Sequence, residues 1–219
     1  MCFFGRKKKN PELTEVAGID FRNRLGLLYA GDTPYIGHIR RCQCGFLTLT
    51  PSAKEYIPEW ITDIQKFRKH TVLAVNLRTD ILHSFALVYD FADLIIIDPD
   101  TDDGISSADI SDMTTLLDEI VSLRLCYEHY TPVFLRLSRG DTPEEIQTLC
   151  SDALLAGLDG IVVPEKNMVR RTIDCCTGHV PVIGHADTPE DAREELREGA
   201  ALIETSLRPI AFSKMLKTL

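Results

Sequence analysis

A single α/β domain of eight strand–helix units, closed into a TIM (β/α)8 barrel with a β-hairpin at its bottom, is the fold this sequence predicts. Three observations lead there. Short apolar runs alternate with longer amphipathic stretches from about Arg24 to the end, which is the pattern of a parallel sheet covered by helices. The tripeptide Asp-Thr-Pro recurs at 32–34, 141–143 and 187–189, and DTPEEIQ…AGLDGIVV echoes DTPEDAR…EGAALIET, as a chain of repeated units would. No low-complexity segment or long linker divides the chain, so residues 1–219 are read as one domain with 1–12 a flexible N-terminal segment.

The elements follow in order. LTEVAGIDFRN (13–23) reads as a hairpin turning at Gly18 that plugs the barrel. The barrel strands are RLGLL (24–28), GFLTLT (45–50), TVLAVNL (71–77) and LIIID (94–98), then PVFLRL (132–137), GIVV (160–163), VPVI (180–183) and LIET (202–205). Each is short and rich in leucine or β-branched residues, as buried parallel strands are. Helices are expected near Tyr35–Arg41, Pro58–Phe67, Ile81–Tyr89 and Ser111–Glu128, then Thr142–Ala156, Asn167–Cys176, Thr188–Glu198 and Ile210–Leu219. Two of them carry full start and stop signals. Thr142 and Thr188 are N-cap residues followed by proline and two acids, and Gly157 and Gly199 stand where those helices should stop.

The net charge of −9 argues against a general polyanion binder, so no nucleic acid partner is expected. The start MCFFGRKKKN places its basic residues after apolar ones with no long apolar run behind them. We therefore expect neither a secretory signal nor a membrane anchor, no membrane partner, and a cytoplasmic protein; a homodimer stays open. The seven cysteines, including Cys42/Cys44 and Cys175/Cys176, lack paired CxxC spacing and read as free thiols.

In such a barrel the chemistry sits at the carboxyl ends of the strands. That rule places Asn76, Asp98, Arg136, His185 and Arg208 around one opening. The run DPDTDDG invites a calcium reading through Asp98, Asp100 and Asp102, but Gly104 comes one residue late and Asp109 stands where the bidentate glutamate belongs. A solvated acidic loop and no metal is the expectation. His185 reads either as an acid–base or anion-binding group or as an exposed loop residue. Arg136, a charge on an alternating strand, must face the polar mouth or pair with an acid, Asp98 or Glu165 being the candidates.

From about Val16 onward the chain resembles the dihydroorotate dehydrogenase family. AGIDFRNRLGLLYAGD, GFLTLTP, LAVNL, FADLIIID, YTPVFLRLS, LDGIVV, VPVIG and DAREELREGAALIE stand in the family's order. The resemblance implies the barrel, FMN held over its mouth, and oxidation of dihydroorotate to orotate in pyrimidine synthesis. By the same resemblance the catalytic positions are Thr101, at the base, and Arg136, where a lysine faces the flavin. The cofactor-binding positions become Asn76, Asp98, Glu165, Gly184, His185, Ser206 and Arg208. The departures are consistent in kind. Thr33 replaces a lysine, Glu165 an asparagine, and Thr101 lies among Asp98, Asp100, Asp102 and Asp103, which oppose an anionic substrate. The two turns that would grip the FMN phosphate become GHAD and TSLR; the first, aligned on Asp187, is two residues shorter than the family's and lacks its paired glycines. Residues 164 to 180 alone separate the sixth strand from the seventh, and no lid is expected. The expectation is a barrel of this descent whose flavin and substrate sites have been replaced and which is inactive in that reaction. Two alternatives stay open: a working, divergent FMN oxidoreductase, and a barrel that binds or acts on another small anionic, phosphorylated metabolite.

Overall fold

The computed structural model describes residues 13–30, 36–51, 57–99 and 110–219. Strands β1 (Thr14–Val16) and β2 (Ile19–Phe21) form an antiparallel hairpin through Ala17 and Gly18. Eight parallel strands follow, β3 (Leu25–Ala30), β4 (Phe46–Thr50), β5 (Val72–Leu77), β6 (Leu94–Ile97), β7 (Val133–Arg136), β8 (Gly160–Val162), β9 (Val182–His185) and β10 (Leu202–Thr205). They close into a barrel as β10 pairs with β3, Ile203 opposite Leu25. Helices α1 (Ile36–Cys42), α2 (Ile57–Arg68), α3 (Ile81–Val88), α4 (Ile110–Arg124), α5 (Pro143–Ala156), α6 (Val169–Cys175), α7 (Pro189–Glu198) and α8 (Pro209–Thr218) lie between and after the strands. The TIM barrel and bottom hairpin read from the sequence are therefore present.

Alternation along each strand builds two cores. One set of side chains, including Leu27, Leu47, Val75, Ile95, Leu135 and Ile203, packs against the helices. The other set, Phe46, Ala74, Leu94, Ile96, Phe134 and Leu202 among them, fills the barrel's interior. The hairpin caps that interior from below through Val16 and Phe21, the latter edge-on to Phe46 at 5.8 Å between ring centroids. At the seam Arg24 Nε donates to the Ala201 carbonyl at 2.8 Å, and its Nη2 donates to that of Ala200.

The helix signals act as the sequence suggests. Thr142 Oγ1 accepts from Glu145 N at 3.3 Å while Glu145 Oε2 accepts from Thr142 N at 2.6 Å, a complete capping box on α5. Thr188 accepts from Asp191 N at 3.2 Å at the start of α7. Both helices end on glycines with left-handed backbone, Gly157 at φ 81° and Gly199 at φ 112°, a conformation that a Cβ would strain.

Several boundaries differ from the sequence reading: α4, expected to reach Glu128, ends at Arg124, the first barrel strand runs on to Ala30, and two further differences follow. The sixth helix is divided, with a 3-10 turn over Lys166–Met168 before α6. The seventh strand starts two residues later than VPVI and runs on through His185, because Pro181 has no N–H for the ladder and the register locks Glu204 opposite His185. The N-terminal segment 1–12, Thr33, and the acidic loop with Asp100, Thr101, Asp102, Asp103, Gly104 and Asp109 lie outside the described residues. Among the described residues no helix is long and apolar enough to cross a membrane. Cys42, Cys44, Cys150 and Cys176 are buried free thiols, Cys175 is half-buried and Cys126 is exposed.

Candidate functional site

At the carboxyl end of the barrel a cavity of about 280 Å³ is lined by Thr50, Asn76, Arg78, Asp98, Arg136, Arg139, His185 and Ser206, with Leu28, Leu137 and Pro164 as its apolar wall. Four residues named from the sequence as facing one opening, Asn76, Asp98, Arg136 and His185, thus meet there, and Ser206 joins them. Their spacing along the strands explains it. Asn76 on β5, Arg136 on β7 and His185 on β9 each occupy an inward position above an apolar interior residue, Ala74, Phe134 and Ile183 respectively.

The inner layer of this cavity is a connected polar network, in which Glu204 Oε1 has no hydrogen-bond partner among the described residues. Arg136 Nη2 donates to Glu204 Oε2 at 2.8 Å and its Nε donates to Asn76 Oδ1 at 3.1 Å, with Asp98 Oδ2 at 3.7 Å. Asn76 Nδ2 in turn donates to Asp98 Oδ2 at 2.9 Å and to Thr50 Oγ1 at 3.3 Å. Arg78 Nε reaches Asp98 Oδ2 at 3.4 Å from the rim. Arg136 is 8% exposed and Glu204 0%, so this pair is desolvated and each partner depends on the other.

Glu204 is the residue that sequence reasoning missed. Arg136 was expected to seek Asp98 or Glu165; its near partner is Glu204, while Glu165 stands half-buried at the start of the 3-10 turn, outside the cavity lining. The signal was present in LIET itself. Leu202 faces the interior, so the residue two further on must face it too, and an acid at that position requires a cation.

The outer layer surrounds the turns after β9 and β10. Asp187 Oδ1 accepts from Thr205 Oγ1 and from the Ser206 amide, both at 2.8 Å. Partial burial would raise the pKa of this carboxyl, but these hydrogen bonds and the nearby His185 outweigh it and hold the group below the usual aspartate range. His185 Nε2 lies 3.5 Å from Asp187 Oδ2 and 3.5 Å from Ser206 Oγ. Both neighbours face the same ring nitrogen, so the three do not form a nucleophile–base–acid relay, which needs partners on opposite nitrogens.

Two further sequence candidates fall elsewhere. Arg208 is the exposed N-cap residue of α8 and does not line the cavity. Gly184 is needed on the helix side of β9, where an added Cβ would come within 1.9 Å of Glu195 Oε2. Glu195, on α7, is 0% exposed and neither carboxyl oxygen has a hydrogen-bond partner. Desolvation first, then the nearby Glu198 and Asp191, pushes its pKa up to about 8, so it is mostly protonated at neutral pH.

With this barrel and mouth in view, comparison with solved structures decides the architecture. Over 98% of this chain and 85% of the other, the fold matches DHODH of Eimeria tenella in complex with ferulenol at a TM-score of 0.77 and 17% identity. The ligand-free type DHODH of the same organism matches with the same TM-score at 16% identity, over 98% of this chain and 88% of that one. The chain has the DHODH barrel fold. No family model and no curated protein matches it. The DHODH-like order of landmarks in the sequence thus corresponds to a shared backbone over nearly the whole chain, at an identity that carries the fold and not the chemistry of the side chains.

Proposed function

We propose that this barrel keeps the dihydroorotate dehydrogenase architecture without its flavin chemistry, and that its mouth binds a small anion. Asp187 carries the reading. Its carboxylate takes the Ser206 amide and the Thr205 hydroxyl in the turn by which the family would grip the FMN phosphate. A fixed anion there repels a phosphate and occupies the donor it would need. The residues present do not fit FMN. Arg136, at the position of the flavin-facing lysine, is likewise committed to Glu204 and Asn76.

What remains available at the mouth is positive. Among the described residues Arg78, Arg136 and Arg139 line this cavity with one acid, Asp98, in the same lining, and no carboxylate pairs with Arg139. One carboxylate or phosphate group could dock on the rim guanidinium of Arg139, on the side of the cavity away from Asp187, with a short apolar body against Leu28, Leu137 and Pro164. The chain's own contribution would be binding and orientation: guanidinium donors from the rim, a rigid floor in the Arg136–Glu204 pair, and partial exclusion of water.

The second reading, a working FMN oxidoreductase, is favoured by Asn76, which keeps the family's strand-three asparagine in contact with Arg136. One preparation separates the two. Protein incubated with FMN and desalted is expected to be colourless and to leave dihydroorotate unoxidised in an electron-acceptor assay, whereas orotate or phosphate raises the melting temperature of the wild type but not of Arg139→Gln. Stoichiometric visible flavin absorbance with dihydroorotate turnover would overturn the proposal.

A further inference from the structure

We propose that the opposite end of the barrel carries a second binding site, for the phosphate group of a soluble small molecule, formed by Arg22, Arg40, Lys69 and His70. Arg22 follows β2, Arg40 lies in the last turn of α1, and Lys69 and His70 form the turn between α2 and β5. Arg22 Nη2 donates to the His70 carbonyl, and Arg40 Nε donates to His70 Nε2 at 2.9 Å. That second bond requires a lone pair on Nε2, so His70 is held as the neutral Nδ1–H tautomer. Among the described residues no carboxylate pairs with Arg22, Arg40 or Lys69.

Beside this cluster a recess of about 850 Å³ opens between the hairpin turn and the strand starts, and Arg22, Lys69 and His70 line it. Of the acids in its wall, Asp93 is already held by Arg68 at 2.8 Å and by the Leu73 amide at 2.9 Å; Asp20 is the other, exposed on the hairpin. Three like charges gathered about one residue, His70, repel one another, and they do so in a chain of net charge −9 that had acids to spare for pairing them. Two guanidinium forks with an ammonium beside them match a phosphate, which accepts from several directions at once. The recess is concave, which suits a soluble molecule rather than the flat surface of a membrane. Desolvation, and then the charges of Arg40, Arg22 and Lys69, already hold His70 below the ordinary histidine range, so His70 reports on any anion that enters.

The test follows the imidazole signals of His70 by NMR across a pH titration, with pyrophosphate as the probe. Pyrophosphate is expected to raise the His70 midpoint, since an anion at the cluster favours the imidazolium; chloride at matched ionic strength is expected to leave it in place. The Arg22→Gln/Arg40→Gln double variant should weaken pyrophosphate binding about tenfold or more. A His70 midpoint that pyrophosphate leaves unmoved, or that chloride moves equally, would overturn the site even if the double variant failed to fold. A response that persists at full strength in a folded double variant would overturn it as well. Failure of the mouth proposal is separately visible, because Arg139→Gln acts at the far end and leaves the His70 response unaltered.

Discussion

Replacing Arg136 with methionine leaves the Glu204 carboxylate at 0% exposure without its near cation, since the partner at 2.8 Å is gone and Asp98 adds a second negative charge. Breaking a buried ion pair from one side costs about 3–5 kcal/mol, because the remaining charge stays desolvated. Against a total stability of roughly 5–15 kcal/mol for a domain, that is about a fifth or more of the margin. In a chain of this size it should lower Tm by roughly 6–20 °C. Glu204→Gln should cost less, because Arg136 keeps Asn76 at 3.1 Å and Asp98 at 3.7 Å. The double variant should be more stable than Arg136→Met alone, which urea denaturation of the wild type, both singles and the double measures as a coupling energy. A loss below about 1 kcal/mol in Arg136→Met, or a double variant whose loss equals the sum of the singles, would refute the argument that the pair is desolvated and mutually dependent.

Other expectations rest on single features. Glu195 has a folded pKa of about 8, above the ordinary glutamate value, so its contribution is full below the unfolded pKa and is lost as pH rises through the folded one. Denaturation midpoints should therefore fall between about pH 4.5 and 8, by up to about 1.4 kcal/mol per pH unit from this group, and Glu195→Gln should remove that component of the slope. Gly184→Ala sets a methyl within 1.9 Å of Glu195 Oε2 and should destabilise by about 1–3 kcal/mol, a loss that Glu195→Ala in the same chain should partly relieve in thermal melts. Thr142→Ala removes the α5 capping box and should cost about 1 kcal/mol, visible as a Tm drop of roughly 2–4 °C.

The fold was open to reading because local rules agree with it at nearly every element. Apolar runs bounded by capped helices define the strands within a residue or two, and Thr142, Gly157, Thr188 and Gly199 mark helix ends by chemistry that depends on no distant partner. Asn76, Asp98, Arg136 and His185 were recognisable for a similar reason, since the end of a strand in a barrel is a place as well as a sequence position. Pairing between distant strands was not. Glu204 lies 68 residues from Arg136, and which acid answers that arginine is decided by the order of strands around the barrel and the depth of each residue within it. Glu195 was hidden more completely. Within DAREELRE it looks like one more acid on a solvated face, and only the packing of α7 over Gly184 shows that Ala192 and Glu195 share the buried stripe. The cations at the barrel base escaped notice because Arg22, Arg40 and His70 belong to three separate segments.

The seam between β3 and β10 sets a timetable for biosynthesis. Leu25 is among the first barrel residues to leave the ribosome, but its partner Ile203 is among the last, and the Arg24 side chain must wait equally long for the carbonyls of Ala200 and Ala201. Until then the nascent sheet has two open edges, one on β3 and one on whichever strand emerged most recently, each offering unpaired backbone groups to any other extended chain. Interrupted translation before Thr205 would therefore release a product whose apolar interior residues have no closed barrel around them, a natural client for chaperones and proteases.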